Sequence, residues 1–549
     1  MARINARLIP SKLVLAFFIL VSTLIFNLPL TQAADSSTNT SAQSAIVDDP
    51  LVGWKTAENY SGAQASKIRI ETIPENQKAR TFGVWELCKS FDEAPCLEAD
   101  SKPTSVSVLL PRCMTKVETW CIEEIAISKK GRPLSPAKFL RQVQGITTPE
   151  NQKLFYPRGS TISLWEAPGI SNAGGTNTYA AFVQVIMARF PEYMKKETRP
   201  GARLSVSIMP FKEIGNLQSP NQSGYKGISL TEVESPSGGK KFQLSGGDIE
   251  CVWTEDGKCG QPVDFAEDSV ASISLRIRND LTGWLMGRMQ DPRVKIERLD
   301  GESSRLIVSA NSITIPKLNV SIPKSQLTQK LRDTWTEDGY GITDPNGIYT
   351  ITSDGPGIFE IIDSWREIAR DTSFALGTAW NFNSITGGGG SPCLQNPNGL
   401  QGIVSTNAMG YDGIAPSYGG GTLNYQVAGF HFNPDGSEFI GSYDLLINRK
   451  IADCLYKLKN LPVTATVSII DDGKISKLSS SKFSEISVGN ASWFKVSVQG
   501  FTFSTPQVRV SFAHKPKILI CVKGLTVKKV TGSAPKCPVG FRKNGYSTS

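Results

Sequence analysis

Two histidines, ten cysteines and 50 acidic side chains are the residues through which this 549-residue chain could do chemistry. A Ser-His-Asp triad would have to use His431 or His514, and no serine stands in the G-x-S-x-G turn that presents such a nucleophile. His514 lies in a lysine-rich stretch where a solvated ring is expected. His431, in Phe430-His431-Phe432-Asn433-Pro434-Asp435-Gly436, reads as a structural histidine between a strand and a turn. Ser-x-x-Lys, the spacing of an acylatable serine and its lysine base, occurs at Ser135 to Lys138 and at Ser321 to Lys324, but each contains a proline where that nucleophile needs a helix. No cysteines stand in C-x-x-C pairs and histidine is scarce, which argues against zinc. Gly387 to Gly390 and Gly419 to Gly421 lack the lysine and helix of a phosphate loop. The repeated turns Trp253-Thr254-Glu255-Asp256-Gly257 and Trp335-Thr336-Glu337-Asp338-Gly339 each pair two acids without further ligands in register, a poor cation site. The expectation is therefore no catalytic residue, no metal and no cofactor. Carboxylate-only chemistry stays open, because glycoside hydrolysis needs two acids whose separation is set by the fold.

The cysteines read as disulfides. Cys88 and Cys96, Cys113 and Cys121, and Cys251 and Cys259 are each eight positions apart, a spacing that fits a bridge near a hairpin tip. Cys521 and Cys537 form a fourth local pair, leaving Cys393 with Cys454. An even set of cysteines in a secreted chain suits this scheme. Secretion is itself an expectation from the start of the chain, where Arg3, Arg7 and Lys12 precede an apolar run from Leu13 to Phe26, then Pro29 and a small-residue cleavage site near Ala33. Residues 1–33 read as a signal peptide and 34–50 as a flexible lead-in. No later stretch is long and apolar enough to cross a membrane as a helix.

Charge is concentrated at the other end. After Glu485 there is no acid, while Lys495, Arg509, Lys515, Lys517, Lys523, Lys528, Lys529, Lys536, Arg542 and Lys543 follow. Setting these and the three basic residues of the leader aside turns the remaining balance of 59 Lys and Arg against 50 Asp and Glu slightly acidic. The basic character is a local patch. Its cations Lys515, Lys517, Lys523, Lys528, Lys529, Lys536, Arg542 and Lys543 surround Cys521 and Cys537, and they suit anionic cell-wall polymers or acidic polysaccharide. Nucleic acid is not expected, because the aromatic interleaving that would stack bases is thin.

The elements that must position these groups are strands. Val106, Val108 and Leu110 alternate with mostly polar residues, and Ile125 and Ile127 resume after Cys121, so the two runs read as one stapled hairpin. Alternation recurs at Leu204 to Ile208, Ile273 to Ile277, Val463 to Ile469, Phe494 to Val498 and Val508 to Phe512, and Asp472-Gly473 is a hairpin signal. Helical spacing is confined to Ile358, Ile361, Ile362, Trp365 and Ile368, with a short turn expected over 139–143. The fold class is mainly β: several sandwich-like β domains with hairpin disulfides, one or two short helices and a small C-terminal hairpin. Composition places domains at 51–148, 149–330 and 387–513, with a helix-bearing connector at 331–386 and the basic, disulfide-closed tail at 514–549.

Val404-Ser405-Thr406-Asn407-Ala408-Met409, His431 with Pro434-Asp435-Gly436, Gly441-Ser442-Tyr443-Asp444, Ala452-Asp453-Cys454-Leu455-Tyr456 and Gly500-Phe501-Thr502-Phe503-Ser504 together resemble uncharacterised secreted proteins of actinobacteria, as does the stretch from Gly283 to Val294. The ending Cys521-Val522-Lys523-Gly524, Lys528-Lys529-Val530-Thr531 and Pro535-Lys536-Cys537-Pro538 is similar to a tail on many otherwise different secreted proteins of those bacteria, from which the non-basic extension Asn544 to Ser549 departs. The resemblance implies no activity, but a tail recurring on varied proteins implies a common envelope function. The reading is a secreted, cell-surface or cell-wall-associated structural or binding protein without enzymatic activity. The alternative is an extracellular carbohydrate-active hydrolase that uses a carboxylate pair.

Overall fold

Strand alternation becomes, in the computed structural model, a central 15-stranded sheet from which the other layers hang. The structure describes residues 51–547 apart from 59–64, 73–83, 192–197, 216–228, 235–239, 246–250, 257, 280, 337–347, 356, 386–388, 396–398, 459–462, 472–473, 477–479, 489–490, 504–505, 516 and 533–534. The leader, the lead-in, Glu337 to Gly339 and Asp472-Gly473 lie outside the described residues. The chain is mainly β, with three α-helices among the described residues.

The central sheet runs from Val84–Cys88 through Lys67–Thr72, Thr104–Leu109, Thr178–Arg189, Ala202–Ile214, Asn381–Ile385, Gly283–Arg288, Leu400–Thr406, Gly441–Asn448 and Ala491–Phe501 to Ser480–Val488. Because successive side chains point to opposite faces, its middle strands feed two cores. Leu285, Ile403 and Leu446 face the core shared with a five-stranded sheet, whose Ile125, Ile273, Leu275 and Leu306 are buried. Their neighbours Trp284, Met286, Val404, Leu445 and Ile447 face a second core with a six-stranded sheet carrying Leu423, Tyr425, Val508 and Val510. One sheet thus serves two sandwiches, and Gly283–Arg288 is buried along its whole length. Pairing therefore crosses the compositional boundaries: Thr104–Leu109 pairs Thr178–Arg189, and Ala202–Ile214 pairs Asn381–Ile385. Asp49–Ser549 forms one compact unit. Composition marks loops, whereas sheet continuity holds the unit together.

The five bridges join Cys88 to Cys96, Cys113 to Cys121, Cys251 to Cys259, Cys393 to Cys454 and Cys521 to Cys537, with Cα separations from 4.9 to 6.2 Å. Only one eight-residue bridge behaves as the spacing suggests: Cys251–Cys259 closes the hairpin of Thr254–Glu255 and Lys258–Pro262. Cys88–Cys96 ties a strand end to a 3-10 turn at Cys96–Glu98. The expected hairpin around Cys113 and Cys121 is corrected. Thr104–Leu109 belongs to the central sheet and Cys121–Lys129 to the five-stranded one, so this bridge clamps the crossover between layers. A second correction concerns 139–143, most of which lies in the strand Lys138–Gln142. The expected helix forms as Ile358–Trp365, burying Ile358, Ile361, Ile362 and Trp365 on one face.

The solvent face of the five-stranded sheet carries an ion network. Arg276 donates through Nε to Glu123 Oε1 at 3.1 Å, Arg305 donates through Nη2 to the same oxygen at 2.7 Å, and Arg305 also reaches Glu297 at 2.9 Å. Chiefly the hydrogen bond from Arg305 pulls the Glu123 carboxyl down to about 2 from 4.5. A depressed carboxyl adds stability that is fully present above its unfolded value and lost as pH falls through its folded value. The stability difference between the wild type and Glu123→Gln should therefore shrink as pH drops from 4.5 toward 2. With 20% of its side chain exposed, the change read from denaturant midpoints is on the order of 1 kcal/mol. A pH-independent difference would show that the arginines do not prefer the ionised form.

Candidate functional site

The tail folds as a sheet of its own. Lys517–Lys523 is the central strand, flanked by Thr526–Gly532 and Arg542–Ser547. The first turn uses Gly524 at φ 56°, a conformation that a side chain disfavours. The predicted hairpin is thus a three-stranded unit, and Asn544 to Ser547, read as an extension, lies in its third strand. Cys521 sits mid-strand and fully buried, with Cys537 reaching it from the connection between the outer strands. Leu519 beside it is 3% exposed.

Register decides where the cations go. Residues directly opposite on adjacent strands share a face. Cys521 stands opposite Lys528 on one side and Lys543 on the other, so these lysines and Lys523 share its face. Ile520 opposes Lys529 and Val522 opposes Arg542, which puts those two cations on the reverse face. Lys515 precedes the unit and Lys536 stands next to Cys537, while the side chain of Lys517 lies outside the described residues. The other seven cations are exposed. Lys528 Nζ is 5.0 Å from the Phe541 ring and Lys543 Nζ is 4.3 Å from that of Tyr546. No acid occurs in the unit, so nothing within it neutralises the charge.

A second constellation gathers around a cleft of about 400 Å³ lined in part by Lys55, Glu58, Asp264, Lys317 and Asn381. Asn381 and Asn383 are two apart on one strand, hence on one face and about 7 Å apart. Asn381 donates to Glu58 Oε2 at 3.3 Å and Asn383 to Asp354 Oδ2 at 2.8 Å, so two carboxyls stand side by side on that strand. Arg288, with no exposed surface, donates to Glu58 Oε2 at 3.1 Å. Burial, with the nearby Glu58 charge adding to it, pushes the Asp354 carboxyl up. The cleft itself offers no aromatic platform, since Phe265 and Trp380 in its wall are buried.

The histidines take structural or solvated places. His431 meets Asp371 through Nδ1, and Asp371 also accepts from Arg366 at 2.7 Å and from the His431 backbone at 3.1 Å. His514 is exposed at the end of Gln507–His514. Ser135 and Lys138 fall in separate short strands, and Ser321 lies in Asn319–Pro323. Glu255 accepts from the Gln144 backbone at 2.8 Å and pairs with Arg141, so one of the acidic turns is a tether. The Glu58, Arg288 and Asp354 group has no local signal in the sequence, since its members lie far apart along the chain. Comparison with known proteins finds no family model, no curated protein and no solved structure that matches the chain.

Proposed function

We propose that this protein is a secreted, cell-surface binding protein without enzymatic activity, held at the envelope by its C-terminal sheet through contacts with anionic polymers. The observation that carries the reading is the division of lysines and arginine between both faces of a small, disulfide-closed sheet that holds no acid. A flexible polyanion can wrap both faces at once, which suits phosphate-bearing wall glycopolymers or acidic polysaccharide better than a flat surface. Five disulfides support an oxidising, extracellular place for the chain. The test is a pull-down on isolated cell walls with the full chain and with a chain lacking residues 514–549. Loss of retention on truncation supports the reading, and equal retention of both sinks it.

One observation favours the second reading, a carbohydrate-active hydrolase. Burial beside the Glu58 carboxylate pushes the Asp354 carboxyl up, and a raised carboxyl next to a second acid is the kind of group that serves as a general acid. Both carboxyls accept from asparagines two apart on one strand, Asn381 and Asn383. Release of reducing ends from polysaccharide by the wild type, abolished in Asp354→Asn, is the outcome this reading expects. Absence of any release by the wild type removes it.

A further inference from the structure

Lys495 is a nearly buried amine that neither reading uses. Its strand, Ala491–Phe501, pairs Gly441–Asn448 with Asp444 opposite Ser497 and Leu446 opposite Lys495, so Asp444 and Lys495 share a face. That face looks toward the five-stranded sheet, where Leu446 shares a core with Val294 and Leu306. Lys495 is 8% exposed and Asp444 6%.

The edge strand Gln290–Arg298 of the five-stranded sheet brings Asp291 to this spot by three local devices. Its pairing slips between Gln290 and Arg293, a bulge of the kind that re-aims a side chain. Asp291 itself has φ 56°, the left-handed region that an L side chain disfavours. Its backbone N–H donates to Asp444 Oδ2 at 2.9 Å. The result presents the Asp291 carboxyl to Lys495 Nζ, which touches Oδ1 and lies 3.4 Å from the Pro292 carbonyl oxygen. Arg293 is the other cation near that carboxyl, at 3.8 Å.

An ion pair accounts for the contact of Lys495 with Asp291. It does not by itself explain why a buried carboxyl, Asp444, is used to hold the Asp291 backbone, nor why a strained bulge aligns the Asp291 carboxyl with the amine. We infer that Lys495 and Asp291 condense into an isopeptide bond that ties the five-stranded sheet to the central one, with Asp444 positioning Asp291 by accepting its backbone N–H. The Lys495 ammonium gives one proton to the Asp291 carboxylate it touches, and the freed Nζ lone pair attacks the Asp291 carboxyl carbon to form a C–N bond. A second proton passes from the nitrogen to the departing oxygen as the C–O bond breaks. Ammonium and carboxylate become an amide and one water, so no oxidant, reductant or co-reactant is needed. The competing cyclisation of Asp291 onto the next backbone nitrogen is closed, because Pro292 has no N–H.

The test is the intact mass of the full, disulfide-reduced chain. The expected result is a mass one water below that of the sequence, with trypsin failing to cut after Lys495 and a branched peptide joining the segments around Asp291 and Lys495. Lys495→Arg should restore the full mass, and Asp444→Ala, which removes the acceptor of the Asp291 N–H, should leave the chain mostly unlinked. A wild-type chain of full mass overturns the inference whatever the variants do, so it stays falsifiable even if a variant fails to fold. A water loss that maps elsewhere, or an Asp444→Ala chain as fully linked as the wild type, overturns it equally.

Discussion

Changing Lys528, Lys529 and Lys543 together to Glu is expected to release the protein from isolated walls while leaving its fold intact. The three lysines are exposed and lie on both faces of the C-terminal sheet, so the change inverts the field of the unit without touching buried Leu519 or the Cys521–Cys537 bridge. Each basic side chain near an anionic surface contributes about 1 kcal/mol. Three removals alone then cost about 3 kcal/mol, or roughly a hundredfold in affinity, and the added negative charges act in the same direction. Salt gives a second reading of the same physics. Screening shortens from about 10 Å at 0.1 M to about 3 Å at 1 M, so wild-type binding should fall steeply over that range. Retention that survives both charge reversal and high salt would place the contact elsewhere on the molecule. Changing the cations of one face only, Lys529 and Arg542, should give an intermediate loss if the polymer wraps the unit.

Much of this site is legible before any folding argument, because its information is local. The acid-free run after Glu485 and the Cys521 and Cys537 spacing need no long-range contact to be noticed. The β class is legible for the same reason, through alternation at Leu204 to Ile208 or Val508 to Phe512. What local reading misjudges is which strands pair. The bridge Cys113–Cys121 spans eight residues whether it closes a hairpin or clamps a crossover, and only sheet membership separates the two. Sheet pairing likewise runs across compositional boundaries, since a sheet that feeds cores on both faces draws its strands from all along the chain. The buried polar groups are the least legible. Arg288 and Glu58 meet across 230 positions, and Lys495 and Asp291 across 204. Nothing in the stretch from Gly283 to Val294 marks Arg288 as buried and Arg293 as exposed, because that choice belongs to the layers packed against the strand.

Replacing Arg288 with Met is expected to destabilise the chain by about 3–5 kcal/mol, the usual cost of breaking a buried charge pair from one side. The arginine has no exposed surface, and its guanidinium is the hub of the junction. Nε donates to Glu58 Oε2 at 3.1 Å, Nη1 to the Thr406 oxygen at 3.2 Å and to that of Ala408, and Nη2 to the Met409 oxygen at 3.0 Å. The Tyr411 ring lies 4.5 Å from its centre. Methionine fills similar volume but donates nothing, so three carbonyls and a carboxylate lose their donor in a buried setting. The strand around Arg288 cannot easily shift to compensate, since a Cβ at neighbouring Gly287 would lie 2.1 Å from the Asn381 oxygen. Glu58→Gln should cost less, because the amide oxygen still accepts from Arg288 and Ser353 can still be met through a hydrogen bond. The double variant should cost less than the sum of the two, since both singles break one contact. Denaturant midpoints of the three variants measure this directly. An Arg288→Met chain within about 1 kcal/mol of the wild type would mean that the junction around Glu58 is held by packing alone, and that Glu58 is free to serve as more than an anchor.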